Sequence, residues 1–182
     1  MKVKPANAER FAAQPDANVR AVLVYGPDRG LVRERVGKLI RSVVADPEDP
    51  FRVAELSGDQ IKKQPAVLAD EAAAMAFGGG RRVVVVRTPA EDSANTFRDF
   101  LADPAGDALV VVEAGDLDGR SKLRAAFEKA DKGAALPCYR DEGRDLAGLI
   151  QETLKTHGLT VSRDALDYLS QHLGADRGVT RS

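Results

Sequence analysis

Cysteine is almost missing from this sequence: one residue, Cys138, in 182. A lone cysteine excludes an internal disulfide framework and fits a reducing compartment, so a cytoplasmic chain is expected. Histidine is nearly as scarce. His157 and His172 each fall near a predicted helix end, where a cation suits the dipole. Two scattered histidines do not make a metal-ligand spacing, and no Ser/His/Asp arrangement is suggested, so no metal and no catalytic residue is expected. Long apolar runs are missing too. Met1-Lys2-Val3-Lys4 has no long apolar region after it, so no secretory signal is expected, and nothing approaches a membrane-spanning length, so no membrane partner is expected. Neither charge sign is in excess. A formal net charge of -1 argues against a dedicated nucleic-acid module while leaving room for local basic patches. Internal repeats and low-complexity tracts are absent.

What is there is organised around residues 21–44. The apolar run Val22-Leu23-Val24-Tyr25 turns through Gly26-Pro27-Asp28-Arg29-Gly30 into a segment where Val32, Val36, Leu39, Ile40 and Val43 recur at helical spacing. Strand, glycine turn and helix is the layout of a phosphate-binding loop. That loop needs a second glycine five positions after the first, followed by Lys and Ser/Thr. Leu31, Val32 and Arg33 stand there instead. No lysine reaches outer phosphates and no hydroxyl holds Mg²⁺. The turn reads as a degenerate P-loop, and no cofactor is expected. The acidic strand end that would complete such a site is the single Glu113, with no Asp before it.

The rest of the chain alternates strand and helix. Pro5 opens an N-terminal helix with Phe11 as its core contact, after a short strand near Val3. The central helix runs to about Val44, with Glu34 and Lys38 as a favourable pair worth ~0.3 kcal/mol. Phe51 to Leu56 alternates like a strand, and Ser57-Gly58-Asp59 breaks it. Pro65 opens a helix with Val67, Leu68, Ala72 and Met75 on one side, stopped by Gly78 to Gly80. Val83 to Val86 and Leu109 to Val112 suit strands buried on both faces of a parallel sheet. Between them lies a helix from Ala94 to Leu101. Leu123, Phe127 and Ala130 mark the next helix, and Ala134 to Tyr139 a last strand containing Cys138, a core residue rather than a nucleophile. The pattern predicts a doubly wound α/β domain over 1–140. From 141 onward it predicts helices only, with Leu146, Leu149, Ile150 and Leu154 in one and Leu166, Leu169 and Leu173 in another, N-capped by Ser162. Two such helices cannot close a core alone. The chain therefore reads as cut within a longer protein.

Two groups of residues stand out as contacts. Met75, Ala76 and Phe77 follow alanines and precede three glycines. An aromatic in that setting can anchor a protein partner, although the pattern itself favours a Phe folded back onto the sheet. Arg81, Arg82, Arg87, Arg120, Lys122 and Arg124 could form a basic surface for DNA or a partner, against the plainer reading of solvated charges flanking strands.

The order of these motifs resembles the delta subunit of the bacterial DNA polymerase III clamp loader. The resemblance rests on Leu23-Val24-Tyr25-Gly26 without a working P-loop, Ala74-Met75-Ala76-Phe77-Gly78-Gly79 running into Arg81-Arg82-Val83-Val84, and Arg120-Ser121-Lys122-Leu123-Arg124, with Leu173-Gly174-Ala175-Asp176 matching the start of the family's lid. It implies an AAA+-like parallel sheet with helices on both faces, then a small helical lid at 141–182, cut short, with the family's C-terminal collar domain absent. It implies a part in DNA replication: binding the sliding clamp (the beta subunit) and opening it for loading on primed DNA, beside other loader subunits that hydrolyse ATP. Such a chain belongs to a nucleotidyltransferase complex without catalysing anything itself. The family's hydrophobic clamp-binding pair matches Ala76 and Phe77. Its first member is usually leucine-like, which leaves Met75 to supply that contact. The competing readings are an active P-loop kinase or NTPase, and a structural subunit that binds neither clamp nor nucleotide.

Overall fold

The computed structural model describes residues 1–76, 79–139 and 144–172. A short 3-10 turn (Pro5–Asn7) and α1 (Ala8–Ala13) precede β1 (Ala21–Tyr25) and α2 (Arg29–Arg41). Then come β2 (Val53–Ser57), α3 (Gly58–Lys63), α4 (Val67–Ala73) and β3 (Val83–Arg87). A second 3-10 turn (Glu91–Ser93) leads to α5 (Ala94–Ala102), β4 (Leu109–Glu113), α6 (Lys122–Lys129), β5 (Gly133–Pro137), α7 (Arg144–Thr156) and α8 (Arg163–His172).

The five strands form one parallel sheet in the order β2-β3-β4-β1-β5. The valine runs explain its centre. Val83–Val86 lie in register with Leu109–Val112, and every one of these side chains is fully buried. Alternate residues face opposite layers. Val22, Val24, Val83, Val85 and Val111 pack with α1 and α2 through Phe11, Leu31, Val36 and Leu39. Leu23, Tyr25, Val84, Val86 and Val112 pack with α3 to α6 through Ile61, Leu68, Phe97, Leu123 and Phe127. Each buried aliphatic side chain contributes roughly 1.5–3 kcal/mol. The expected α/β class, a parallel sheet covered on both faces, is the fold.

Several boundaries differ from the pattern. The central helix ends at Arg41 rather than Val44, where the Ser42 hydroxyl donates to the Leu39 carbonyl at 2.6 Å and the chain turns. The second strand begins at Val53. Phe51 is 61% exposed, and its N–H is held by the Asp49 carboxylate at 2.9 Å in a turn. The predicted break at Ser57 is instead a helix start. Ser57 accepts from the Gln60 N–H at 3.2 Å, and the Gln60 side chain accepts from the Ser57 N–H at 2.7 Å. This capping box opens α3, which buries Ile61. The expected N-terminal strand reduces to a single bridge between Lys2 and Ala135. Glu34 and Lys38 do pair, at 2.8 Å, and Lys38 also pairs with Glu9.

Ile150 packs with Leu154, Leu166 and Leu169 between α7 and α8. Ser162 caps α8 by accepting from the Ala165 N–H at 3.3 Å. The side chains of Leu146 and Leu149, the expected boundary at 140–141, and residues 173–182 lie outside the described residues. Among the described residues no helix is long and apolar enough to cross a membrane.

Candidate functional site

In a parallel sheet the strand-to-helix turns gather at one edge and the helix-to-strand turns at the other. The two candidate sites divide between them.

The degenerate P-loop lies at the C-terminal edge, where β1 and β4 lie side by side and their following helices leave for opposite faces. That is the position of ligand crevices in open α/β sheets. Here a space of about 250 Å³ is lined by Arg29, Val32, Arg33, Thr88, Glu113, Ala114 and Gly115. The turn itself is short. Arg29 and Gly30 already belong to α2, so only Gly26, Pro27 and Asp28 connect strand to helix. Gly26 has φ 151°, and a Cβ there would lie 2.0 Å from the Cys138 carbonyl oxygen. Its lack of a side chain serves close packing against the exit of β5. Asp28 is fully buried and its carboxylate accepts from the Leu31 N–H at 2.9 Å, so the start of α2 holds an anion belonging to the chain.

The acidic strand end is committed as well. Arg87 pairs with Glu113 and also grips Glu55, with contacts of 2.6 and 3.2 Å. The bond to Arg87 holds the Glu55 carboxyl below its ordinary pKa. Cys138 lies behind this edge, fully buried, and burial pushes its thiol up to about 11 despite the nearby Arg35 guanidinium.

Met75 and Ala76 belong to the opposite edge, on the connection from α4 to β3. The helix does not run to the glycines as the pattern predicted. It ends at Ala73, and Ala74 turns extended at φ -63°, ψ 134°. Arg82 accounts for the stop. It is 8% exposed, donates to the Glu71 and Ala74 carbonyls at 3.1 and 3.4 Å, and pairs with the Glu71 carboxylate at 3.1 Å. A cation thereby satisfies the carbonyl end of α4. Arg52 holds the far end of the connection, donating to the Arg81 carbonyl at 2.9 Å and the Val43 carbonyl at 3.3 Å. Arg81 donates to the Asp107 carbonyl at 2.7 Å; burial first, and Arg20 second, push its pKa down.

Met75 is 93% exposed, Ala76 is half-buried, and Gly79 and Gly80 adopt φ 85° and 89°, conformations that side chains disfavour. Phe77 and Gly78 lie outside the described residues.

The remaining cations separate by role. In the Arg120 to Arg124 stretch, Ser121 caps α6 by accepting from the Arg124 N–H at 3.0 Å. Glu91 accepts from the Ser121 hydroxyl at 2.9 Å and the Leu123 N–H at 3.2 Å. Arg124 lies 5.1 Å over the Tyr25 ring and pairs with Glu128 at 2.8 Å. Arg120 and Lys122 are exposed. Arg81 and Arg82 thus spend their guanidinium groups on the fold. Sequence reasoning missed the Arg87 ion pairs, the Glu91 cap and the Arg82 cap, which join residues far apart in the chain. Among the described residues no cluster of His, Cys, Asp and Glu could hold a metal ion.

Comparison with known proteins adds to this geometry. The family model described as DNA polymerase III, delta subunit, matches residues 23–138. The probable DNA polymerase III subunit delta of Rickettsia prowazekii is 23% identical over 163 residues, covering 88% of this chain and 47% of that protein. The Bacillus subtilis DNA clamp loader delta protein superposes with a TM-score of 0.64 at 20% identity, over 90% of this chain and 51% of that one. The Thermotoga maritima RuvB Holliday junction branch migration motor superposes at 0.58 with 17% identity, over 98% of this chain and 60% of that one. The chain thus spans about half the length of the curated and solved delta proteins it matches. The structural likenesses show an AAA+-like fold.

Proposed function

The chain belongs to the DNA polymerase III delta-subunit family, and on that basis we propose that it docks on a sliding clamp through Met75, Ala76 and Phe77 and favours the opened ring. The observation that carries this reading is Met75, a large apolar side chain 93% exposed on the α4–β3 connection, whose two ends are pinned by Arg82 and Arg52. A pinned frame lowers the ordering cost of docking. The flanking glycines let a partner approach the backbone closely.

Opening then needs no chemistry by this chain. A ring that samples closed and open forms shifts toward the open one when a partner binds that form more tightly, and only by the difference in affinity. Nucleotide has no part in the proposal. Asp28 caps the helix start and Arg87 engages Glu113, an arrangement that also counts against the kinase or NTPase reading. ATP hydrolysis falls to other loader subunits, primed DNA is engaged through the assembled complex, and the setting is the cytoplasm. Residues 1–140 form the AAA+-like unit of this proposal and 141–182 its lid. Of the six cations singled out for DNA or partner contact, Arg120 and Lys122 remain available to one.

The test is titration of a sliding clamp by surface plasmon resonance against wild type, Phe77→Ala and Met75→Ala, with a thermal melt of each. A ring buried in a partner pocket is worth on the order of 2–4 kcal/mol, so Phe77→Ala should weaken binding by roughly 30- to 1000-fold. Met75→Ala should cost less, because methionine loses more entropy on ordering. Both variants should melt like wild type. Unchanged clamp affinity for Phe77→Ala, or its loss of folding, rules the site out.

A further inference from the structure

Helices α5 and α6 pack on the sheet through Phe97 and Phe127, whose ring centroids are 5.5 Å apart. Above that contact the two helices leave a groove of about 570 Å³ that neither the clamp-docking connection nor the crevice uses. Its apolar lining is mostly alanine: Ala94 and Ala102 from α5, Ala125 and Ala126 from α6, and Ala130 just after it. Its rim carries Arg98 from α5, Lys122 and Lys129 from α6, and Lys132 from the turn into β5, against the one acid Asp131. Among the described residues none of these four cations forms an ion pair; Arg98 donates only to the Asn95 side chain at 2.9 Å.

Such clustering is unusual in a chain whose 27 basic and 28 acidic residues nearly cancel. The next groove along the same face makes the contrast. Between α4 and α5 a space of about 320 Å³ is rimmed by Asp99 and Asp103 and no cation. Helix α5 therefore divides a basic groove from an acidic one.

We propose that the α5–α6 groove docks an acidic amphipathic helix of another protein, with medium-sized apolar side chains on the alanine floor and flanking Asp or Glu on the four cations. Charge complementarity identifies the occupant. Unpaired cations around an apolar floor steer an acidic partner and fix its register. Alanines leave room for a helix to approach closely, as a helix-in-groove mode requires. Nucleic acid fits less well. Phosphates gain nothing from an alanine floor, and the aromatic rings beneath it are buried and closed to base stacking. The proposal stands apart from clamp docking, since the groove runs along two helices and shares no lining residue with the α4–β3 connection.

The experiment uses the whole chain and a synthetic helical peptide of about four turns, long enough to be marginally helical in water, with leucines on one face and glutamates beside them. Fluorescence anisotropy should show saturable binding that weakens with salt. The same peptide with lysines in place of glutamates should bind at least tenfold more weakly. The double variant Arg98→Glu, Lys129→Glu should lose at least tenfold, as should Ala126→Trp, which fills the floor without changing charge. Both variants should melt like wild type, and Met75→Ala should bind the peptide unchanged. Equal binding of both peptides, indifference to all groove variants, or stronger binding of a short DNA duplex that displaces the peptide would each overturn the proposal. Clamp titration of Ala126→Trp separates the two sites: it should match wild type whichever way the peptide result falls.

Discussion

Arg82 shows what a residue's neighbours can do to its meaning. In sequence it is one of several arginines beside a valine run. In the fold it is a buried brace on the end of α4. Replacing it by alanine should lower stability by roughly 2–4 kcal/mol, because the Glu71 carboxylate and two carbonyls lose their partner. Urea denaturation would show this, with Arg120→Ala as a surface control near zero. Cys138 supports a second expectation. Burial raises its thiol from 9.0 to about 11, so the folded state holds a proton that the unfolded chain releases first. Its contribution is complete below pH 9 and is lost as pH rises toward 11, by on the order of 2–3 kcal/mol. Stability profiles from pH 8 to 11 should fall less steeply for Cys138→Ala than for wild type. Neither role was legible beforehand, since both depend on what lies across the sheet. That Cys138 is core, by contrast, was plain from the apolar run it closes, although β5 ends at Pro137, one residue before it, rather than at Tyr139.

At the scale of elements, local grammar was legible where it is local. Ser57 with Gln60 three residues on is a capping-box signature, yet Gly58 beside it suggested a break. The helix survives because reciprocal bonds satisfy both its first donors and the cap residue. The end of α4 was not legible, because the cation that sets it comes from β3. Glycines in the two candidate sites should respond differently to the same change. Gly26→Ala drives a methyl into the Cys138 carbonyl and should cost about 3 kcal/mol or more. Gly79→Ala has open space and pays only for its positive φ, about 1–2 kcal/mol. Parallel thermal melts give the comparison.

For the whole molecule, doubly buried valine strands foretold a covered parallel sheet, while strand order and the sharing of helices between faces emerged only in the fold. The order matters because it sets the degenerate crevice and the α4–β3 connection at opposite edges. Substitutions in one should not reach the other. Arg33→Ala should leave clamp affinity within about twofold, and Met75→Ala should leave stability within about 0.5 kcal/mol, as expected for separated sites; plasmon resonance and urea titration check the two halves. The depth of Cys138 has a further use. The single thiol is shielded and protonated at neutral pH, so thiol-reactive dyes will pass the native chain by. A cysteine introduced at position 75 would then be the only one to take a label, and the natural sequence supplies the dark background for single-molecule spectroscopy without any prior cysteine removal.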